Sequence, residues 1–334
     1  GCITLYTLTH KNIKALKQRR NKMAPRKGDL MTVRKDVKVL DATIRDGGLC
    51  NNFEFTDEFV RELYKTNIQC GVDYMEFGYK ASKKLFDVKD FGKWKFCDED
   101  AIRSIVGEND SPMKIAVMAD VGRCDFKEDF LPRSESVIDM VRVACYIHQI
   151  PAAIDMVEYF HDLGYETTCN IMAISKCQER DIQTALEMLA KSSVKGVYVV
   201  DSYGSLYPIQ IREITDMYLK AMAESEKLVG IHAHNNQQCA FANTIEALSI
   251  GASMVDGTVM GMGRGAGNAT TELVANYLNL KQHCNYDMNQ IMDAIDMYMQ
   301  YFQENYTWGY STPYFIAGMY CCHVNNIAYL LKNH

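Results

Sequence analysis

Val37-Lys38-Val39-Leu40-Asp41-Ala42 is a short β-branched and apolar run, and it closes in Thr43-Ile44-Arg45-Asp46-Gly47-Gly48. A doubly wound dinucleotide-binding sheet carries a Gly-x-Gly-x-x-Gly turn after its first strand. Here a charged pair stands in that place. From this run onward, short apolar runs alternate with longer amphipathic stretches, the pattern of β-α units around a parallel sheet. The strands expected are Val37–Ala42, Tyr74–Phe77, Lys114–Ala119, Met140–Ala144, Glu166–Ile171, Gly196–Val200, Leu228–Ala233 and Met254–Gly257. Between them, Asp57–Cys70, Pro151–Leu163, Glu179–Lys191, Ile209–Glu224 and Gln238–Ile250 carry apolar residues at helical spacing. Eight such repeats within roughly 230 residues predict a (β/α)8 TIM barrel, with its active site at the carboxyl ends of the strands.

Composition limits what such a barrel does. Of 334 residues, 48% are hydrophobic and 23% charged, which excludes disorder and fibrous folds. The net charge of −6 offers no basic field for nucleic acid or an anionic membrane. No apolar run is long enough to span a bilayer, so a soluble, cytoplasmic protein is expected. Twelve cysteines without a Cys-x-x-Cys pair, among them Cys70, Cys145, Cys169 and Cys239 in apolar surroundings, read as reduced core residues.

The chain divides into three parts. Residues 1–35 form a basic extension, in which Lys11, Lys14, Lys17, Arg19, Arg20, Lys22, Arg26 and Lys27 precede the first acid, Asp29. It reads as a tail before the catalytic unit; an organelle address or an acylation signal at Gly1-Cys2 is the alternative. Residues 36–280 are the barrel. Residues 281–334 are a helical segment rich in aromatics (Tyr298, Tyr301, Phe302, Trp308, Tyr310, Tyr314, Phe315, Tyr320), suited to core or interface packing.

The sharpest chemical signal is His232-Ala233-His234 at the end of the seventh strand, where a two-residue spacing turns both imidazoles to one face. With a carboxylate from another strand they make a divalent-metal site, and Asp46, two strands away around a closed barrel, is the natural donor. Hydrogen-bonded core histidines are the alternative. Arg45 beside Asp46 needs an anion, either a substrate or a salt bridge to Glu76 or Asp201. The loop Gly261-Met262-Gly263-Arg264-Gly265-Ala266-Gly267-Asn268 lets backbone approach a ligand closely, and Asn268 is a further oxygen donor.

Leu40–Gly48, Asp201-Ser202-Tyr203-Gly204-Ser205, Gly230–Asn236 and Gly263–Asn268, in order and at matching strand ends over roughly Val37 to Asn279, together resemble the DRE-TIM metallolyases. That family includes hydroxymethylglutaryl-CoA lyase, isopropylmalate synthase and 4-hydroxy-2-oxovalerate aldolase. The resemblance implies a divalent metal held by Asp46, His232 and His234, with Asn268 as a further ligand and Arg45 stabilising an enolate. Manganese is placed first; magnesium, cobalt and zinc are the alternatives.

Val141-Arg142-Val143-Ala144, Asp201-Ser202, Gly265–Ala269 and Ala317-Gly318-Met319-Tyr320 look most like the aldolase branch. The lyase branch keeps a cysteine in the glycine loop, and the synthases a glutamate there and long carboxyl-terminal segments; neither pattern is seen. Two departures stand out. The aldolases' acid/base histidine falls on Leu49 here, and their assisting tyrosine on Ile316.

The expected activity is a metal-dependent carbon–carbon lyase or aldolase acting on a 2-oxo acid and an aldehyde or acyl acceptor. Two alternatives are an acyl-CoA condensing transferase and a barrel that binds metal but has lost catalysis. With Leu49 unable to titrate, the base candidates are His148, Tyr146, Tyr79, Glu76 or metal-bound water. Arg142, Asn170 and Ser202, together with Arg45 and Glu76, are the candidates for binding substrate, with strand-end packing as the alternative for Arg142, Asn170 and Ser202. A homo-oligomer is expected, and a partner dehydrogenase that takes the released aldehyde is a further possible associate of the helical segment.

Overall fold

In the computed structural model, which describes residues 36–281 and 284–333, β1 (Lys38–Asp41) is fully buried from Val39 onward and pairs in parallel with strands on both sides. The basic extension at 1–35 lies outside the described residues. The strands that follow are β2 (Tyr74–Tyr79), β3 (Lys114–Asp120), β4 (Met140–Cys145), β5 (Glu166–Ile171), β6 (Gly196–Asp201), β7 (Leu228–Ala233) and β8 (Met254–Gly257). Each pairs in parallel with its sequence neighbours, and β8 closes onto β1 through Lys38–Met254 to Asp41–Gly257. The expected (β/α)8 barrel is what the chain forms, with every strand within two residues of its expected bounds.

Short helix α1 (Thr43–Gly47) follows β1 directly, and Arg45 and Asp46 ride on it rather than on the strand end. Gly48 keeps right-handed helical angles (φ −57°, ψ −22°), so the chain coils once before it turns. The outer ring comprises α2 (Asp57–Cys70), α3 (Glu99–Val106), α4 (Ile150–Asp162), α5 (Glu179–Ala190), α6 (Pro208–Met222), α7 (Ala240–Ile250) and α8 (Thr271–Lys281). Helix α2 shows how these form. The Thr56 hydroxyl accepts from the Phe59 N–H at its start, Gly71 ends it at φ 90°, and Phe59, Val60, Leu63, Tyr64, Asn67 and Cys70 make one buried stripe. Helix α3 is unexpected from sequence, because eight residues with only Ile102, Ile105 and Val106 buried carry too little periodicity to read.

Strand alternation sorts the barrel interior into levels. Toward the amino ends, Leu40, Tyr74, Ala116, Met140, Tyr198 and Met254 pack an apolar plug. Gly230 is required there, since a Cβ would fall 2.6 Å from the Tyr198 ring. One level up stand Glu76, Arg142, His232 and Asp256, all buried. The cleft opens above them.

After α8 come α9 (Met288–Ala294), a π turn at Ile295–Met299, then α10 (Gln300–Asn305), α11 (Thr312–Met319) and α12 (Val324–Asn333). Part of the expected aromatic packing is core: Phe302 is buried against Phe59 at 4.6 Å and Phe55 at 5.5 Å. Tyr301, Tyr310 and Tyr320 are exposed instead. The Trp308 indole donates to the Met260 carbonyl (3.0 Å), and Asn236 and Gln237 donate to the carbonyls of Tyr314 and Phe315 (3.1 and 3.0 Å). The segment thus seats on the two loops that follow β7 and β8. All eleven described cysteines are free; Cys70, Cys145 and Cys169 are buried as expected, but Cys239 is only half-buried because it precedes α7 at its exposed start.

Candidate metal centre

The level-two residues form a closed ring of charge. Arg45 Nε and one terminal nitrogen of Arg142 both donate to the same oxygen of Glu76 (2.8 Å each). The other Arg142 nitrogen donates to Asp256 (2.6 Å), whose same oxygen holds His232 Nδ1 (2.9 Å). A terminal nitrogen of Arg45 donates to Asp46 (2.5 Å), and Asp46 lies 3.4 Å from His232 Nε2. Two guanidinium groups against three carboxylates leave this ring with one net negative charge when His232 is neutral. A bound cation would neutralise it.

Asp46, His232 and His234 bring ligand atoms within 4.8 Å of one another, all buried. Each imidazole is pinned through Nδ1, His232 by Asp256 and His234 by the Asp201 carbonyl (3.1 Å), so each Nε2 faces the shared space. Both Nε2 atoms are buried with no hydrogen-bond partner, and so is Asn268 Oδ1 on the loop after β8. Two orphaned imidazole lone pairs within reach of one carboxylate fit a divalent cation with a borderline donor set. A bridge between His234 and Asn268 sets the glycine loop against β7. Gly263 must lack a side chain there, because a Cβ would fall 2.2 Å from Asn268 Nδ2 and 2.6 Å from Asp46 Oδ1.

The electrostatics agree. Burial opposes ionising Asp46, but Arg45 alongside and the two imidazoles outweigh it and hold the carboxyl well below its usual range. Burial pushes His234 down to about 3, leaving it neutral, the form in which imidazole ligates. His232 is held up by Asp256 and Asp46 against its own burial.

Above the centre is a cleft lined by Arg45, Asp46, Leu49, Tyr79, Met118, Ala144, Asn170, Met172, Val200, Ser202, His232, His234 and Arg264. Of the expected substrate-binding residues, Arg45, Asn170 and Ser202 line it. Asn170 keeps a buried, unpartnered Nδ2, while the Ser202 hydroxyl accepts from the Ala173 N–H (2.8 Å). Glu76 and Arg142 do not line it: their side chains are fully buried beneath, spent on the ring. Arg45 pairs with Glu76, as the salt-bridge alternative expected, and also lines the cleft; Asp201 instead accepts from the N–H groups of Ser205 and Leu206.

His148 and Tyr146 are displaced from the expected role. Both are exposed, stacked on each other at 5.9 Å, on a short turn that carries them outward after β4, and neither lines the cleft. Tyr79 does line it, with burial pushing its phenol well up, so it stays protonated. Sequence reading missed Asp256. Its signal was one carboxylate in the inward phase of the otherwise apolar Met254-Val255-Asp256-Gly257.

The HMGL-like family profile matches residues 36–297. The chain belongs to the HMGL-like family. An oxaloacetate decarboxylase of Mycobacterium tuberculosis is 32% identical over 77% of this chain and 74% of its own length. A 4-hydroxy-2-oxovalerate aldolase of Bacillus cereus is 27% identical over 78% of this chain and 75% of its own. Among solved structures, the N-terminal domain of a Bacteroides vulgatus protein described as an aldolase superposes with a TM-score of 0.78 at 27% identity, covering 89% of this chain and 97% of that one. A hydroxymethylglutaryl-CoA lyase from Pseudomonas aeruginosa shares the fold at TM-score 0.65 and 18% identity, over 90% and 99%.

Proposed function

We propose that this chain is a divalent-metal-dependent carbon–carbon lyase that makes or breaks the C3–C4 bond of a 2-oxo acid through an enolate. The observation that carries the reading is the convergence of Asp46 and two unpartnered imidazole nitrogens beside a cleft-facing arginine. The names of the relatives, an oxaloacetate decarboxylase and 4-hydroxy-2-oxovalerate aldolases, support it. An ion held there supplies Lewis-acid stabilisation of negative charge on the 2-oxo oxygen.

The chain's own residues do the rest. As C3–C4 breaks, its electron pair delocalises onto the C2 oxygen, and the far half departs as a carbonyl compound or as CO2. Arg45, fixed by Glu76 and Asp46 before substrate arrives, is a preorganised cation for that oxyanion. Asn170 Nδ2 donates to the substrate carboxylate. Leu49, Met118, Ala144, Met172 and Val200 exclude water from the enolate. When the far half leaves as a carbonyl compound, its C4 hydroxyl gives its proton to water in the cleft as the bond breaks; when it leaves as CO2 no such proton is released. In both cases Tyr79, protonated at rest, hands a proton to C3 and is reprotonated from solvent, and bond formation runs the same transfers in reverse.

Manganese is the ion we place first, because two imidazoles, a carboxylate and an amide oxygen form a mixed nitrogen and oxygen set; pyruvate is then the three-carbon partner. The free cysteines support an intracellular setting, and among the described residues no helix is long and apolar enough to cross a membrane. Exposed Tyr301, Tyr310, Met319, Tyr320 and Tyr329 in the carboxyl-terminal segment support self-association or docking of a dehydrogenase. The test of the lyase reading is deuterium wash-in at the pyruvate methyl group in D2O: metal-loaded protein exchanges it, and chelation stops exchange. Equal exchange with and without metal sinks the reading.

A further inference from the structure

The strand that carries Tyr79 is irregular at one point. From Glu76 to Tyr79, β2 advances three residues while β3 advances two, from Ala116 to Met118, so one residue is inserted and the alternation of faces slips. Without the insertion Tyr79, three residues after inward Glu76, would point toward the helices; with it, Tyr79 turns into the cleft beside Met118. Gly78 makes the insertion fit. A Cβ there would run into the Trp94 carbonyl, so the end of β2 lies directly against the turn Lys93–Lys95. The Ala81 N–H donates to the Lys95 carbonyl (3.2 Å) and closes that approach.

The same approach carries the Lys95 amine over the Tyr79 ring, 4.6 Å from its centre. Phe86, Phe53 and Phe91 complete a cage at 4.5, 5.1 and 5.5 Å, and the amine makes no hydrogen bond or ion pair among the described residues. Phe53 is held there with a left-handed backbone (φ 64°), a conformation costly for a bulky side chain, and its ring stands edge-on to Tyr79 (5.7 Å, 85°).

Among the described residues, Lys95 and Arg45 are the cations that lie over the Tyr79 ring. Arg45, 6.0 Å away, is already paired with Glu76 and Asp46. The neighbouring Lys80 amine is turned elsewhere: it donates to the Asp129 carbonyl (2.9 Å) and lies over Phe130. Asp120 and Arg123 line the depression that Tyr79 and Lys95 share, and Arg264 lines the cleft. Ring faces compensate an unpaired ammonium only in part. It gains most when the ring beneath it takes on negative charge, as the Tyr79 phenol does on giving up its proton.

We propose that Lys95 is a positioning residue for Tyr79: its amine holds the ring turned into the cleft and stabilises the negative charge that the phenolic oxygen gains when its proton passes to C3. The Tyr79 O–H bond breaks, its electron pair stays on oxygen, the enolate's pair forms the C3–H bond, and solvent returns a proton to the phenolate. The assignment deepens the lyase reading and rests on it.

The test is pyruvate methyl exchange in D2O by the manganese-loaded full chain, in which the phenolate takes the methyl proton by the reverse transfer. Lys95→Met keeps much of the shape and loses the charge. We expect kcat about tenfold lower, KM for pyruvate within about twofold, and manganese affinity unchanged by calorimetry. Lys95→Arg should return to within about threefold of wild type, and Lys95→Met added to Tyr79→Phe should lower the residual rate by less than about twofold. A Lys95→Met rate equal to wild type, weakened manganese binding in that variant, or an arginine variant no better than the methionine one overturns the assignment and leaves the lyase reading standing. So does a Tyr79→Phe rate equal to wild type, or a loss on Lys95→Met as large without the Tyr79 hydroxyl as with it. No metal-dependent exchange in the wild type overturns both.

Discussion

Asp256 touches no cleft, yet it holds His232 Nδ1 and Arg142 together, so its effect reaches the metal through a ligand's orientation. Asp256→Asn keeps the shape and loses the charge; metal affinity should fall roughly 10- to 100-fold, read by calorimetric titration, whereas unchanged affinity would show the imidazole needs no such support. Arg45→Gln should lower the rate of pyruvate methyl exchange by about 10²- to 10³-fold with the metal still bound. The residue scale is also where the sequence was most and least informative. His232, His234 and Asp46 were readable because strand periodicity and barrel closure place them without knowledge of side-chain contacts. Tyr146 and His148 were not: they follow β4 as closely as the true cleft residues follow their strands, and only the outward course of one short turn separates them.

Among elements, the glycine loop after β8 and helix α8 carry the consequences. Gly263→Ala puts a methyl group into Asn268 and Asp46, so the variant should fold and lose metal affinity more than it loses stability. Retained affinity would mean the loop has room that the geometry denies it. On α8, Glu272 accepts from the Met260 N–H at the base of that loop (3.1 Å), and burial, reinforced by Asp41, pushes its carboxyl from 4.5 up to about 7. A raised carboxyl favours the protonated folded form. Its stabilisation is therefore full below the usual carboxylate range and fades as pH rises through 7, with a slope of at most about 1.4 kcal/mol per pH unit. Melting curves should show Glu272→Gln flatter than wild type between pH 4.5 and 7 and more stable at pH 8; parallel profiles would contradict this. Elements were legible where they repeat a strong pattern, as α2 does, and illegible where they are a single turn, as α1 is.

At the level of the whole molecule, the carboxyl-terminal helices close the loops that hold two of the candidate ligands. Trp308, whose indole donates to the Met260 carbonyl and which lies beside Gly267, ties that segment to the glycine loop. Trp308→Ala should cost about 2 kcal/mol in denaturant unfolding, less than a fully buried tryptophan because the ring is half-exposed. The barrel could be inferred from eight repeats in order, but how the appendix seats on it could not, since nothing in a helix's periodicity names the loop it will cover. The central claim is a single divalent ion held by Asp46, His232 and His234. Calorimetric titration of manganese into wild type and Asp46→Asn tests it most directly: one ion per chain in the wild type, and affinity lowered at least 100-fold in the variant, is the result expected. Equal binding by both proteins, or none by the wild type, would contradict it.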